Sequence, residues 1–370
     1  MAIDFTFRVK RLKKYLSNRC LDNIIVLKTE NIYYLTGFYG KDSNSILIIS
    51  EEKTTLLVNF IFYEDALTSV RSSNIEVILY KNDRMKETAE LLSALKPKRV
   101  IIEDSGIEHR SFIKLGNLLE KSGKNLIADT GIVESLRLVK DECELENIKK
   151  ACRITDLAFE KITELSYKRI SKHSELSLGI EIERLLIKNG GYGRSFDFVI
   201  AGGSNSSKPH YLSEHLNIEG DVLLMDFGTV YNRYCSDITR TIFLRNGPFA
   251  SKLKEIYSIV LEAQFKAIGA CREGIRCDEL DRIARKHIER SGYGKEFGHG
   301  LGHGVGLEVH ENPALTGRNR TVLMENMVVT IEPGIYIPGL GGVRIEDMVV
   351  VKKNGCENLY KSKKDFTFLS

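Results

Sequence analysis

The stretch Val222-Leu-Leu-Met-Asp-Phe-Gly-Thr-Val-Tyr-Asn-Arg-Tyr-Cys-Ser-Asp-Ile-Thr-Arg-Thr241 reads as two apolar strands around a short polar turn. With that turn centred on Tyr231-Asn232, Asp226 and Asp237 face each other across an antiparallel hairpin, Cβ atoms about 4.5–5.5 Å apart. Two like charges beside Leu224, Phe227 and Ile238 destabilise the hairpin unless a shared proton or a bound cation neutralises them. The alternative is two aspartates on a solvated face. Outward from the hairpin, Phe196 to Ala201, Val328 to Ile331 and Val343 to Val351 read as further strands, and about 249–270 and 278–290 as helices. The return strand is expected over Cys235 to Leu244. Antiparallel strands with helices grouped between them predict an α+β domain.

Upstream, Leu145, Ile148, Cys152, Thr155, Ala158, Ile162 and Leu165 keep helical spacing over one long amphipathic helix. Leu178, Ile182 and Leu185 mark a second, which ends at Gly190-Gly191. Before about residue 128 the rhythm differs. Asn23 to Leu27, Ser45 to Ile49, Thr55 to Asn59, Ile75 to Tyr80 and Val100 to Glu103 read as strands. Arg84 to Leu95 and Ser111 to Leu119 read as helices. The expected organisation is a smaller α/β domain over 1–128 and an α+β domain over 129–370. Nothing in the first assembles a catalytic group, since His109 stands alone as a surface residue.

Composition excludes several classes of function. The 370 residues are 42% hydrophobic and 28% charged, enough apolar material for a sizeable core. Net charge is +4, too small an excess to suggest a nucleic-acid partner. No run approaches the ~18–20 apolar residues of a membrane-spanning helix. The opening MAIDFTFRVKRLKKYL lacks the apolar run of a secretory signal. It is expected as an amphipathic surface helix with Val9, Leu12 and Leu16 inward. Seven cysteines, an odd number without any CxxC, read as reduced thiols of a cytoplasmic protein.

Two further elements carry chemistry. In Phe297-Gly-His-Gly-Leu-Gly-His-Gly-Val-Gly-Leu-Glu-Val-His-Glu-Asn-Pro313, three histidines, His299, His303 and His310, sit among alternate glycines. The glycines make a helical zinc pair improbable and point to an extended segment running close to another backbone or a ligand. No register satisfies GxGxxG. In Val328-Val-Thr-Ile-Glu-Pro-Gly-Ile-Tyr336 and Gly341-Gly-Val-Arg-Ile-Glu-Asp-Met-Val-Val-Val351, Glu332 ends one apolar strand and Glu346 lies inside another. A carboxylate there is costly to bury unless paired or metal-bound, and an Arg344–Glu346 ion pair is the simplest reading of the second. Together the elements supply four carboxylates and one imidazole. That set suits two divalent cations of the Mn²⁺ or Co²⁺ type better than a structural zinc, although Zn²⁺ is compatible. Such a pair supports hydrolysis.

In order and spacing, Met225-Asp-Phe-Gly, Ser236-Asp-Ile-Thr-Arg-Thr, Gly302-His-Gly-Val-Gly-Leu-Glu-Val-His-Glu, Ile331-Glu-Pro-Gly-Ile-Tyr and Val343-Arg-Ile-Glu-Asp resemble the pita-bread-fold metallopeptidases. The likeness is to their Xaa-Pro-cleaving branch of prolidases and aminopeptidases P. Asn31-Ile-Tyr-Tyr-Leu-Thr-Gly-Phe is similar to the N-terminal-domain signature of that branch, so the resemblance covers nearly the whole chain. It implies a creatinase/prolidase-like N-terminal domain, a dinuclear centre and cleavage of small peptides with proline second. It implies Asp226, Asp237, His303, Glu332 and Glu346 as metal ligands, with Asp237 and Glu346 bridging or chelating, and Glu332 also as general base. It implies His210 and His310 as substrate-binding histidines, His299 as a residue of the cleft, Arg344 as a support behind the ligands, and a homodimer.

One position departs from the pattern. Where dipeptide-trimming prolidases often carry an Arg after the proline of the His-Glu-x-Pro segment, this chain has Ala314, with Arg318 and Arg320 nearby. That weakens the dipeptidase expectation and strengthens the aminopeptidase one. A creatinase-like enzyme working without metal, or a non-catalytic peptide-binding module, should have lost ligand carboxylates, and here all five ligands are present.

Overall fold

Runs of aliphatic and β-branched residues such as Ile46–Ser50 and Thr54–Val58, buried along their whole length, build the first sheet. The computed structural model describes residues 3–71 and 73–364. The chain divides into two units, Met1–Arg137 and Leu138–Ser370. The division falls beyond the expected 128/129 because the helix Ile132–Arg137 buries Ile132, Val133 and Leu136, and Arg137 donates to Asn31 Oδ1 at 2.6 Å.

In the first unit a six-stranded sheet runs in the order Glu76–Leu79, Thr54–Val58, Ile46–Ser50, Asn23–Val26, Arg99–Glu103, Asn125–Asp129. Ile46–Ser50 pairs antiparallel with both its neighbours, and the other three pairs are parallel. The first helix, Phe5–Asn18, starts at an Asp4 cap and buries Val9, Leu12 and Leu16, as its spacing predicts. His109 opens an exposed helical turn. Several elements were not expected, among them the short helices Tyr63–Ser69 and Ile132–Arg137. Asn125–Asp129 is a half-exposed edge strand without clear alternation. Thr29–Thr36 is a helix although Ile32, Tyr33, Tyr34 and Thr36 favour strands.

A buried polar cluster overrides that propensity. Glu103 accepts from the amides of Leu27 and Lys28 at 2.7 and 3.0 Å and from Asn31 Nδ2 at 2.7 Å. Burial pushes Glu103 up to about 7 from an ordinary 4.5 against those hydrogen bonds, and the Glu134 charge adds to the rise. Because the folded value lies above the unfolded one, the protonated acid stabilises the fold. That contribution is whole below about 4.5 and is lost as pH climbs to about 7, roughly 3 kcal/mol in all. Glu103→Gln cannot titrate and should flatten this slope. Amide exchange in Asn23–Val26 and Arg99–Glu103 between pH 4.5 and 7, corrected for intrinsic rates, measures it. An unchanged slope would exclude Glu103 as its source.

The second unit opens with the long helix Glu142–Thr163, started by an Asp141/Glu144 capping box, and Glu175–Lys188, capped by Ser174. A three-stranded antiparallel sheet follows, ordered Ile238–Phe243, Val222–Phe227, Val199–Gly202. Helices Ala250–Ala270 and Cys277–Arg290 pack their apolar faces into the main core of this unit. A five-stranded antiparallel sheet comes last, ordered Glu311–Leu315, Gly302–Gly304, Val328–Ile331, Asp347–Lys352, Gly355–Asn358. Two expected strands are each split. Cys235 to Leu244 breaks at 236–237. Val343 to Val351 breaks at 345–346, where the chain leaves its pairing with Gly334–Ile337 and joins Val328–Ile331. Both breaks hold a candidate ligand.

Candidate metal centre

The hairpin differs from its expected register by two residues. Asn232 and Arg233 take the left-handed conformation (φ 46° and 73°), so the turn centres on them rather than on Tyr231-Asn232. Asp226 therefore pairs with Thr239, and Asp237 lies diagonally across the same face. An even slip preserves which face each residue takes, so both carboxylates still point to one place.

Glycines bring the histidine in. A Cβ on Gly302 would stand 2.1 Å from the Thr330 carbonyl oxygen, and one on Gly304 2.3 Å from that of Asn312. The strand thus runs pressed between two backbones, which is what the alternate glycines predict. Between them His303 is anchored through its amide on Thr330 Oγ1 (2.9 Å), with Nδ1 against the Gly304 carbonyl (3.1 Å). Its Nε2 is left facing Glu332 Oε1 at 3.2 Å and Asp237 Oδ2 at 3.6 Å. Glu332, just past Val328–Ile331, also accepts from Thr330 Oγ1 at 3.2 Å.

Glu346 sits where the chain changes sheets. Its amide bonds the Thr239 carbonyl, and its Oε2 accepts from Thr239 Oγ1 at 2.7 Å. The expected Arg344–Glu346 pair gives way to another: Arg344 Nη2 bonds Asp226 Oδ2 at 2.5 Å. Arg344 also donates to Thr239 Oγ1 and to the Tyr336 hydroxyl, both at 2.9 Å. Pairing with its neighbour on the same strand would have left Asp226 buried without a counter-charge.

Asp237, His303 and Glu346 each present one ligand atom within 4.8 Å of the others. Asp226 Oδ1, Asp237 Oδ1 and Glu346 Oε1 are buried with no hydrogen-bond partner. Orphaned carboxylate oxygens converging with an imidazole are costly unless cations take them up, so these residues fit divalent metal ions. Burial, then the neighbouring carboxylates, raises Asp237 and Glu346 well above the ordinary range. Burial also raises Asp226, against the opposing charge of Arg344. Burial works the same way on Glu332, but the hydrogen bond and charge of His303, with His299 and Arg344, hold it down at about 2. Burial disfavours the charged form of His303, yet Glu332 outweighs it and raises the ring.

A cavity of about 360 Å³ opens onto this cluster, and all nine candidate residues line it. His299 Nε2 meets the Tyr336 hydroxyl at 2.9 Å, and the His310 ring stacks edge-on His303 with centroids 4.4 Å apart. Burial lowers both His299 and His310, so each is a neutral donor or acceptor near pH 7. His210 lies at the exposed side. Phe196, Asp197, Val309 and Thr316 complete part of the wall, whereas Ala314, Arg318 and Arg320 are not among its lining residues. Sequence reading assigns nothing to Thr239, Thr330 or Tyr336, which hydrogen-bond the candidate ligands and the groups beside them. Only their presence inside the quoted motifs marked them.

Residues 146–353 match metallopeptidase family M24, and residues 8–139 match the creatinase/prolidase N-terminal domain. The chain is 39% identical over 367 residues to an Xaa-Pro dipeptidase of Pyrococcus horikoshii, covering 97% of this chain and 98% of that one. Among solved structures it resembles an Xaa-Pro dipeptidase from Bacillus anthracis, with TM-score 0.90 and 34% identity over 99% of this chain and 100% of that one. It also resembles an X-Pro aminopeptidase from Thermotoga maritima, with TM-score 0.86 and 33% identity over 97% and 99%.

Proposed function

Because the chain belongs to metallopeptidase family M24, we propose that it is an Xaa-Pro peptidase, hydrolysing the bond between an N-terminal residue and proline with two divalent cations, Mn²⁺ or Co²⁺. The observation that carries this reading is the set of buried, partnerless oxygens on Asp226, Asp237 and Glu346 beside His303 and Glu332. Those five residues would hold the cations. When bound, such a pair supplies Lewis acidity toward a carbonyl and acidifies a water.

The chain's own groups do the rest. Glu332 takes the proton of the attacking water on a carboxylate oxygen and passes it to the leaving proline nitrogen. His310 and His210, on the cavity wall, hydrogen-bond the scissile carbonyl as its oxygen gains charge. Arg344 opposes the protonation that burial favours at Asp226 and aims its carboxylate, and Tyr336 links that pair to His299. A homodimer and a cytoplasmic location belong to the same proposal. Among the described residues no helix is long and apolar enough to cross a membrane.

The cavity also bears on substrate length. Its guanidinium, Arg344, is engaged by Asp226, Thr239 and Tyr336, so no other fixed cation lines the described wall for a dipeptide carboxylate. A longer peptide presents a neutral amide there. We therefore expect kcat/KM for Xaa-Pro-Yaa tripeptides to exceed that for Xaa-Pro dipeptides about tenfold, one charge-assisted hydrogen bond's worth. The dipeptidase name of the Pyrococcus horikoshii relative favours the reverse order. Hydrolysis of matched peptides by metal-reconstituted enzyme decides between them, and no turnover of either class would refute the function.

A further inference from the structure

Asp237 lies in a gap of its own sheet. The ladder pairs Cys235 with Val230 and Ile238 with Phe227, and leaves 236–237 outside both strands. The amide and carbonyl of Asp237 are instead taken by one distant side chain. The buried Tyr360 hydroxyl donates to the Asp237 carbonyl at 2.6 Å and accepts from its amide at 3.1 Å. The same amide approaches Met348 Sδ at 3.2 Å. A single hydroxyl has one proton and two lone pairs, so it can do both at once and substitute for the missing partner strand.

The segment carrying Tyr360 is fastened where it would need to be. Asp156 accepts from the amides of Lys361 and Ser362 at 2.7 and 3.2 Å. Lys364 Nζ bonds Asp347 Oδ2 at 2.5 Å, and Arg240 bonds both Ser362 Oγ (2.9 Å) and the Glu346 carbonyl (2.5 Å). Residues 360–364 therefore tie down the backbones that bear Asp237 and Glu346, two of the residues that would hold the cations.

We propose that Tyr360 is a positioning residue for the metal centre, fixing the peptide of Asp237 through its hydroxyl, with Asp156 holding the strap that carries it. This rests on Asp237 being a metal ligand. Outer groups that orient ligands are commonly worth 10- to 100-fold in metal affinity.

The test is Co²⁺ titration of the metal-free full chain, followed by calorimetry and by the cobalt d–d absorption bands. Tyr360→Phe removes only the hydroxyl and keeps the ring packed, and its metal-free melting curve reports folding. It should weaken Co²⁺ binding at least tenfold and shift the bands. Asp156→Asn should weaken binding in the same direction, and the double variant should lose little more than either single one, because both act through one strap. Wild-type affinity and bands in Tyr360→Phe, with binding lost in Asp237→Asn, would overturn the role of Tyr360 and leave the metal centre standing. Additive losses would overturn the shared strap. No saturable Co²⁺ binding by the wild-type chain would overturn both the inference and the reading beneath it.

Discussion

Glu332→Gln is expected to lower kcat by about 10²- to 10⁴-fold while KM changes far less. The substitution keeps the side chain's size and an acceptor toward Thr330 Oγ1, which now lies 3.2 Å from the carboxylate. What it removes is the ability to accept a proton. His303 and Arg344 hold Glu332 as a carboxylate, so it is free to accept a proton. Weaker coordination by the amide adds to the loss, so cation content must be measured alongside the rate. Tripeptide hydrolysis by the variant, at verified metal occupancy, is the assay. A near-normal kcat would remove Glu332 from the role of base and leave it at most a ligand.

Much of this architecture is legible in short-range patterns. Helical spacing from Leu145 to Ile162 and the alternate glycines around His303 each state a local physical need, and the folded chain meets it. The hairpin shows where such reading errs. Arg233 is an unusual residue for a left-handed turn position, so Tyr231-Asn232 was the natural centre; only the even size of the slip kept Asp226 and Asp237 on one face. The helix Thr29–Thr36 escaped because its β-branched and aromatic residues favour a strand, while its Asn31 serves a buried polar cluster whose partners, Glu103 and Arg137, are remote in sequence. The resemblance implies Arg344 as a support, but Tyr360 and the partner that Arg344 takes escape for the same reason. Tyr360 touches Asp237, and Arg344 reaches Asp226, across more than a hundred residues, and no periodicity announces such a bond. The candidate ligands themselves are recognisable because each stands in a motif with a resemblance to a known family.

The second large effect concerns stability. Four carboxylates share one buried cluster with Arg344 and His303, and burial with mutual repulsion drives Asp237 and Glu346 toward their protonated forms. Cations that bind only the folded chain relieve this and stabilise it by RT ln(1 + [L]/Kd), about 2.7 kcal/mol at a hundredfold excess over Kd. For a unit of this size that is a rise in Tm of about 5–10 °C. Asp237→Asn replaces a group that already resists ionisation, so the metal-free Tm should hold or rise slightly while most of the metal-induced gain disappears. The decisive measurement is thermal unfolding of both proteins with and without Mn²⁺: the wild-type chain should gain several degrees and Asp237→Asn almost none. A wild-type Tm indifferent to metal, or a full gain retained in the variant, would contradict the assignment of this cluster as the metal centre.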